Sequence, residues 1–545
     1  MWPPAILYEV IGMEKSATKY IFVTGGVTSG LGKGITAASL GRLLKARGYR
    51  VFNQKFDPYI NVDPGNMSPT QHGEVFVTDD GAECDIDVGH YERFTDESLT
   101  KDSNITTGKI YWAVLEKERA GGYHGKTVQV IPHITDHIKE LIQKVAKDGS
   151  QDVVITEIGG TVGDMESRPF LEAFRQMIFD VGRENVLYVH VTLLPYLDKG
   201  GEIKTKPTQH SVKELLSMGI QPDMIVCRTA RTLTADVKDK IALFCNVPRE
   251  CVIENIDCDS VYQVPLLLEE ENFAGQALSR LGLANPPADL AQWRAMVEKQ
   301  RNVSGKVTIS LVGKYTVLHD AYLSTVEALK AASFAVGVDV GINWVEAEAL
   351  ERGEMHLLEG SHGIIIAQGF GERGTEGKIL VAAYARHRSI PCFGMGMGMQ
   401  AMAIEFARDK NVLNMAGANS IEFNENTPHP IVNKKYEKMR LGSYPCKVAP
   451  DTLAHSIYGQ DFTEERHRHR YEFNTAYRAA FEAAGMKFSG TSPDGRLLEI
   501  LELSQNMHPW YMGVLFNPQF KSRPNVPHPI FAAFVAACKN FKNAN

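Results

Sequence analysis

The stretch GGVTSGLGKGI at residues 25–35 follows a β-rich run at 20–24 and precedes a helical periodicity at 36–45. Strand, glycine loop and helix in that order let backbone N–H groups and a helix N-terminus hold phosphate, with Lys33 adding a positive charge. The match to the common phosphate-loop pattern is imperfect. Gly26 stands one residue too early, and Gly34 occupies the place where Ser or Thr would meet magnesium. Further on, KFDPYINVDPG at 55–65, QHGEVFVT at 71–78 and DDGAECDIDVGH at 79–90 are dense in Asp, Pro and Gly. They read as loops, and clustered carboxylates beside a phosphate cradle suit a hard cation such as magnesium.

The run VVITEIGGTVGD at 153–164 repeats the strand and glycine-turn pattern and puts Glu157 at the carboxyl edge of a parallel sheet, where open α/β folds bind ligands. A polar loop at 201–211 carries Lys204, Thr205, Lys206, Thr208 and Gln209, donors for phosphate and base. Near residue 390 a predicted buried strand enters GMGMGMQ at 394–400. A strand-to-helix elbow of this kind mounts a nucleophile in α/β hydrolase-type sites, and here no nucleophile is present.

The elements that would position these groups are those of an α/β protein. With 545 residues, 44% hydrophobic and 23% charged, the chain is long enough for two domains with their own cores. Net charge is −7, which gives no bulk attraction for nucleic acid or anionic membrane, and the basic run at 466–470 is local. Eight scattered cysteines without a CxxC spacing argue against a disulfide framework or a zinc site and fit reduced thiols in a cytoplasmic protein. Residues 1–18 read as an N-terminal extension. A Pro-rich break at 284–290 and a short helical stretch to residue 300 precede a new strand, so the chain divides into 19–284, a linker at 285–305, and 306–545.

The blocks KFDPYINVDPG, QHGEVFVT, GHYERF, TVQVIPHIT, EIGGTVGD, KTKPTQHSVKELL and KIALFCNV closely resemble the CTP synthase family. That resemblance implies a P-loop-like parallel-sheet synthase domain that uses ATP to phosphorylate the 4-oxygen of UTP, after which ammonia displaces phosphate to give CTP. By matching motif, Lys33 and Lys55 would be catalytic at the ATP phosphates, within the loop Ser29, Gly30, Leu31, Gly32, Lys33, Gly34 and Ile35. Asp87 and Glu157 would hold Mg2+. Lys204, Thr205, Lys206, Gln209 and Lys240 would bind UTP phosphates, with Asp164 and Glu166 near the pyrimidine nucleotide. His72 and Val75 would line the ammonia entrance, and a homotetramer is implied.

The second half resembles a class I glutamine amidotransferase domain. There the elbow carries a cysteine, and a downstream HPEF supplies a histidine base and its orienting glutamate. In this sequence Gly396 stands at the cysteine position, Asn517 at the histidine and Gln519 at the glutamate, and Gln368 alters the oxyanion loop. Arg373, Gln400, Glu422 and Arg470 are kept from the glutamine pocket. The reading is a CTP synthase-type ligase fed by free ammonia, with an inactive glutaminase domain. Two alternatives stand beside it: a ligase that takes another amine, such as an amino acid, to an N4-substituted cytidine nucleotide, and a non-catalytic regulator or filament subunit.

Overall fold

The computed structural model describes residues 17–197, 201–434 and 437–544. Most of the extension read from residues 1–18 therefore lies outside the described residues. The chain forms two compact units: Met1–Val62 with Asp102–Asp289, and Asp63–Lys101 with Leu290–Asn545.

The first unit is built on a seven-stranded, all-parallel sheet. Its strands are β1 (Lys19–Gly25), β2 (Val51–Asp57), β3 (Asn104–Thr106), β4 (Val153–Ile158), β5 (Val186–Leu194), β6 (Met224–Thr229) and β7 (Val252–Ile256). They lie in the order β7-β6-β5-β1-β4-β2-β3. The central strands β1 and β4 are buried along their whole length, the pattern of a sheet covered on both faces. Phe22, Phe56, Val154 and Tyr188 pack one face against Phe170 and Phe174, with Phe22 and Phe174 stacked at 4.3 Å.

The second unit has a nine-stranded mixed sheet of β8 (Lys306–Gly313), β9 (Asp339–Glu346), β10 (Gly363–Ile366), β11 (Cys392–Met395), β12 (Arg440–Val448), β13 (Phe462–His469), β14 (Met486–Thr491), β15 (Leu498–Leu503) and β16 (Tyr511–Val514). The order is β9-β8-β10-β11-β16-β15-β14-β12-β13. Strands from β9 to β16 pair in parallel and the remainder antiparallel. The run Ile364-Ile365-Ile366 feeds both faces: Ile364 and Ile366 join one core cluster and Ile365 the other. A period of two with both faces covered turns an alternating strand into a continuous apolar one.

Two departures from the sequence reading follow from local chemistry. Residues 79–90 were expected as loop, but α-helix Ile86–Thr95 begins there, because the Asp85 side chain accepts the Asp87 N–H as N-cap and Val88, Tyr91 and Phe94 bury one face. The boundary drawn at 19–284 also differs from the compact units, since Asp63–Lys101 clusters with the second. Arg466 holds it there: the side chain is fully buried, with Nη1 on Glu92 Oε2 at 2.8 Å and Nε on Asp79 Oδ1 at 2.5 Å. The basic run at 466–470 is thus a strand whose first arginine binds carboxylates of an earlier segment.

Candidate functional site

In the first unit β1 turns through the glycine loop into helix Lys33–Lys45, with Gly32 as N-cap at φ 82°. Ser29 and Gly30 are exposed, while Leu31, Lys33 and Gly34 are buried and Gly32 and Ile35 intermediate. The Lys33 ammonium donates to the Gly160 carbonyl at 2.7 Å, which ties the β1 turn to the turn after β4. Beside it Lys55 Nζ lies 3.1 Å from Glu157 Oε1 and 3.9 Å from Asp57 Oδ1, all three buried. Asn104 Nδ2 donates to Asp57 Oδ2 at 2.7 Å. Two lysines and two carboxylates at the carboxyl edge of adjacent strands form an arrangement that can neutralise phosphate and offer hard oxygen ligands.

The Asp164 carboxylate accepts Thr161 N–H at 2.6 Å and Thr161 Oγ1–H at 2.9 Å, holding the turn after β4, while Glu166 is exposed. The loop read at 201–211 is half helix: Lys206–Ser217 is helical, with Pro207 in its first turn. Gln209 donates to Thr205 Oγ1 at 3.1 Å. Lys204 pairs with Glu202, and this hydrogen bond, with Lys240 adding its charge, holds the Glu202 carboxyl below its usual range. Asp87, on helix Ile86–Thr95, belongs to the second unit.

In the second unit β11 turns through Gly396 into helix Met397–Arg408. Gly396 has φ 54° and ψ −113°, a strained elbow that suits glycine, and an added Cβ would sit 3.4 Å from Gln368 Cβ. The elbow borders a cavity of ≈ 170 Å³. Of the residues picked from sequence, Val75, Gln368, Gly396, Gln400, Glu422, Arg470 and Asn517 line it together. His72, Arg373 and Gln519 are not among its walls. His72 faces Asp85 at 3.8 Å, Arg373 pairs with Glu348 and donates to Lys314 O, and Gln519 is buried at 1% exposure.

Glu422 Oε1 accepts Gly371 N–H at 2.7 Å, fixing the loop that follows β10, and burial raises its carboxyl above the usual range. Gln400 donates through Nε2 to Tyr471 O at 3.3 Å. No cysteine among the described residues lines the cavity, and Cys392 lies buried in β11, where desolvation pushes its thiol up. His469 also lines the cavity, but burial holds its imidazole near a pKa of about 3, and it is bonded to His467 and to Tyr471 O.

Arg468 and Tyr471, from the retained segment at 468–472, also line the cavity, and Glu74 is the cavity residue that sequence reasoning missed. A signal for Glu74 was present, an acid standing directly before the apolar run Val75-Phe76-Val77. Elsewhere in this unit His387, Glu405 and Asp409 bring three ligand atoms within 4.8 Å of one another. Arg386 already bridges Glu405, at 2.6 Å, and Asp409, so a fixed cation neutralises that cluster. All eight cysteines are free, and among the described residues no helix is long and apolar enough to cross a membrane.

Residues 19–283 match the family model described as CTP synthase N-terminus, and residues 317–537 match glutamine amidotransferase class-I. A CTP synthase of Ruminiclostridium cellulolyticum is 58% identical over 536 residues, 96% of this chain and 99% of that one. Another, from Moorella thermoacetica, is 58% identical over 96% of this chain and 98% of its own. The chain belongs to the CTP synthase family. The glutaminase domain of Trypanosoma brucei CTPS with bound acivicin is 33% identical with a TM-score of 0.41, covering 43% of this chain and 94% of that structure. For a chain of the CTP synthase family, the two glycine turns now carry unequal chemistry: the first keeps its lysine, and the second has glycine at its apex.

Proposed function

We propose that the chain catalyses the ATP-dependent amination of UTP to CTP through a 4-phosphorylated UTP intermediate, as a homotetramer, with free ammonia as nitrogen donor and no glutaminase activity. The observation that carries the reading is the contrast between a buried Lys33, Lys55, Asp57 and Glu157 cluster and an elbow whose apex, Gly396, has no side chain. Phosphoryl transfer needs positioning and charge neutralisation more than covalent help, and the lysines supply it. Glu157 and Asp57 offer the hard oxygens that suit Mg2+, which when bound would neutralise nucleotide phosphate charge. Lys204, Thr205, Lys206, Gln209 and Lys240 bind the UTP phosphates, and Asp164 orders the turn beside the nucleotide.

Amide hydrolysis requires a nucleophile, a base near it and an orienting group. Gly396, Asn517 and Gln519 supply none of these, and loss of a complete triad in a well-studied hydrolase costs on the order of 10⁶ in turnover. The test is CTP formation from UTP and ATP with ammonium chloride against the same reaction with glutamine. Ammonium is expected to support turnover and glutamine to stay at background; glutamine-supported turnover at a comparable rate would overturn the reading.

A further inference from the structure

The cavity beside Gly396 has an excess of acceptors. Gln400, Asn517 and Glu74, at 6%, 2% and 4% exposure, each present a buried oxygen with no protein donor: Gln400 Oε1, Asn517 Oδ1 and Glu74 Oε1. Gln368 Oε1 is a fourth. All four residues line the same ≈ 170 Å³ space. For Gln400 the assignment of ends follows from chemistry, because its Nε2 is committed to the Tyr471 carbonyl. Buried acceptors left without donors are costly, so the arrangement favours an occupant rich in N–H and small enough for the space.

Glu74 is the only carboxylate among these four. Its Oε2 accepts the Ser324 N–H at 2.6 Å and its own N–H donates to Asp320 O at 3.0 Å, which leaves Oε1 to the cavity. The charged groups that act on it are Arg93 and Arg468, and Glu422 and Arg470 line the same cavity. Arg468 is committed to Glu83 and to Gly65 O, and Arg93 leans on Ser324 Oγ at 3.4 Å and His90 Nδ1 at 3.3 Å. His90 is held neutral by burial near a pKa of about 4.

We infer that this cavity captures an ammonium ion from solution, and that Glu74 takes its proton to release neutral ammonia, the nucleophile that the activated UTP requires. The inference rests on the ammonia-fed reading above. In the step, one N–H bond of ammonium breaks, its electron pair stays on nitrogen, and the proton passes to Glu74 Oε1, from which solvent removes it. The oxygens of Gln400, Asn517 and Gln368 accept the other N–H groups. Burial pushes the Glu74 carboxyl up to about 7, which narrows the gap to an alkylammonium such as lysine at ~10.4.

The experiment measures the KM for total ammonium in the full chain at pH 7 and pH 8, for wild type and for Glu74→Gln, Gln400→Leu and Asn517→Leu. If only neutral ammonia enters, that KM falls about tenfold per pH unit, because the neutral share rises so well below the ammonium pKa. With cation capture, the wild-type KM is expected to change less than about threefold, the tenfold dependence to return in Glu74→Gln, and both leucine variants to raise KM about three- to tenfold with kcat within about twofold. A tenfold fall in wild type together with unchanged KM in the leucine variants would overturn the inference and show that the cavity holds water only.

Should Glu74→Gln fail to fold, the wild-type profile and the leucine variants decide the matter. Saturation-transfer NMR with methylammonium chloride reads binding without turnover: a signal in wild type that weakens in Gln400→Leu supports capture, and equal or absent signals overturn it. Glutamine-supported CTP synthesis would sink the ammonia-fed reading alone, since it appears in wild type whatever the variants do.

Discussion

Two glycine turns of the same design have diverged in this molecule. Each leads from a buried parallel strand into a helix whose N-cap is a glycine with positive φ, Gly32 at 82° and Gly396 at 54°. In the first unit the next residue is Lys33, whose ammonium crosses to Gly160 O. In the second the apex holds nothing, yet the strained backbone persists. Packing explains this: a Cβ on Gly398 would lie 2.0 Å from Ile366 O, and one on Gly394 would lie 2.4 Å from Met402 Sδ. Helix and sheet are so close there that the turn geometry is over-determined by its neighbours, with or without a nucleophile to display.

The sharpest way to break the comparison is to empty the first turn as well. Lys33→Ala removes the cationic end of the cradle, and CTP formation with ammonium is expected to fall by at least about 10²–10³ in kcat. A loss below tenfold would mean that the first turn, too, is scaffold rather than chemistry.

The scaffold behind the second turn gives the next largest effect. Glu92 is fully buried and accepts from Arg466 at 2.8 and 3.1 Å, from Arg523 at 2.7 Å and from Leu99 N–H at 2.9 Å. The Arg466 carbonyl in turn accepts Asn517 N–H at 2.7 Å, so this carboxylate fixes the strand, β13, against which the segment at Asn517 is held. Glu92→Ala leaves two buried guanidiniums short of a partner and should cost about 3–5 kcal/mol of stability, read as a lowered urea midpoint. The ammonium-supported rate of the remaining folded protein measures how far the second unit matters to the first.

Restoring the nucleophile alone should achieve little. Gly396→Cys places a thiol at the apex with no imidazole to take its proton, so glutaminase activity is expected to stay at background. It also forces a side chain into φ 54°, ψ −113°, at a stability cost of about 1–3 kcal/mol. Gly396→Cys with Asn517→His and Gln519→Glu is the variant in which glutamine hydrolysis can appear, because triad members act as a unit. Activity in the single variant would show that another base serves the elbow.

Much of this was legible in the sequence, for reasons that differ by residue. The strands at 19–25 and 153–158 are continuous apolar runs, and the glycine loops that end them announce the turns. Lys33, Lys55 and Glu157 were picked by motif; Lys55 pairs with Glu157, and Lys33 reaches the Gly160 carbonyl in the turn after the same strand. The helix Ile86–Thr95 was not legible, since its Asp- and Gly-rich start looks like a loop until Asp85 is seen as a cap. Nor was the allegiance of Asp63–Lys101, which depends on Arg466 meeting Glu92 across 374 residues. Long-range ion pairs leave no periodicity. Glu74 stands before an apolar run, but what marks it out, an unpartnered oxygen in a residue that lines a cavity, is a property of the packed molecule.

The smallest expected effect compares the two turns through pH. Behind the first, His190 bonds Thr24 Oγ1 at 2.9 Å and Ser211 Oγ at 2.7 Å, and burial, with Lys33 adding, lowers its pKa to about 3. Behind the second, burial brings His469 to about 3, with Arg440 adding. Both folded values lie below the unfolded value of ~6.5, so the unfolded chain binds more protons. The stability from keeping these rings neutral is present above pH 6.5 and is lost as pH falls from there toward 3, by up to about 1.4 kcal/mol per pH unit for each ring. His190→Asn should therefore flatten the acid limb of the stability curve by about one such slope, read from urea midpoints between pH 6.5 and 4.5. Lys33→Ala should move the same limb slightly, because the lysine charge beside His190 is part of what keeps the ring neutral. A His190→Asn curve parallel to wild type would mean that His190 already carries its proton in the folded first turn, and would separate the two turns in acid as well as in chemistry.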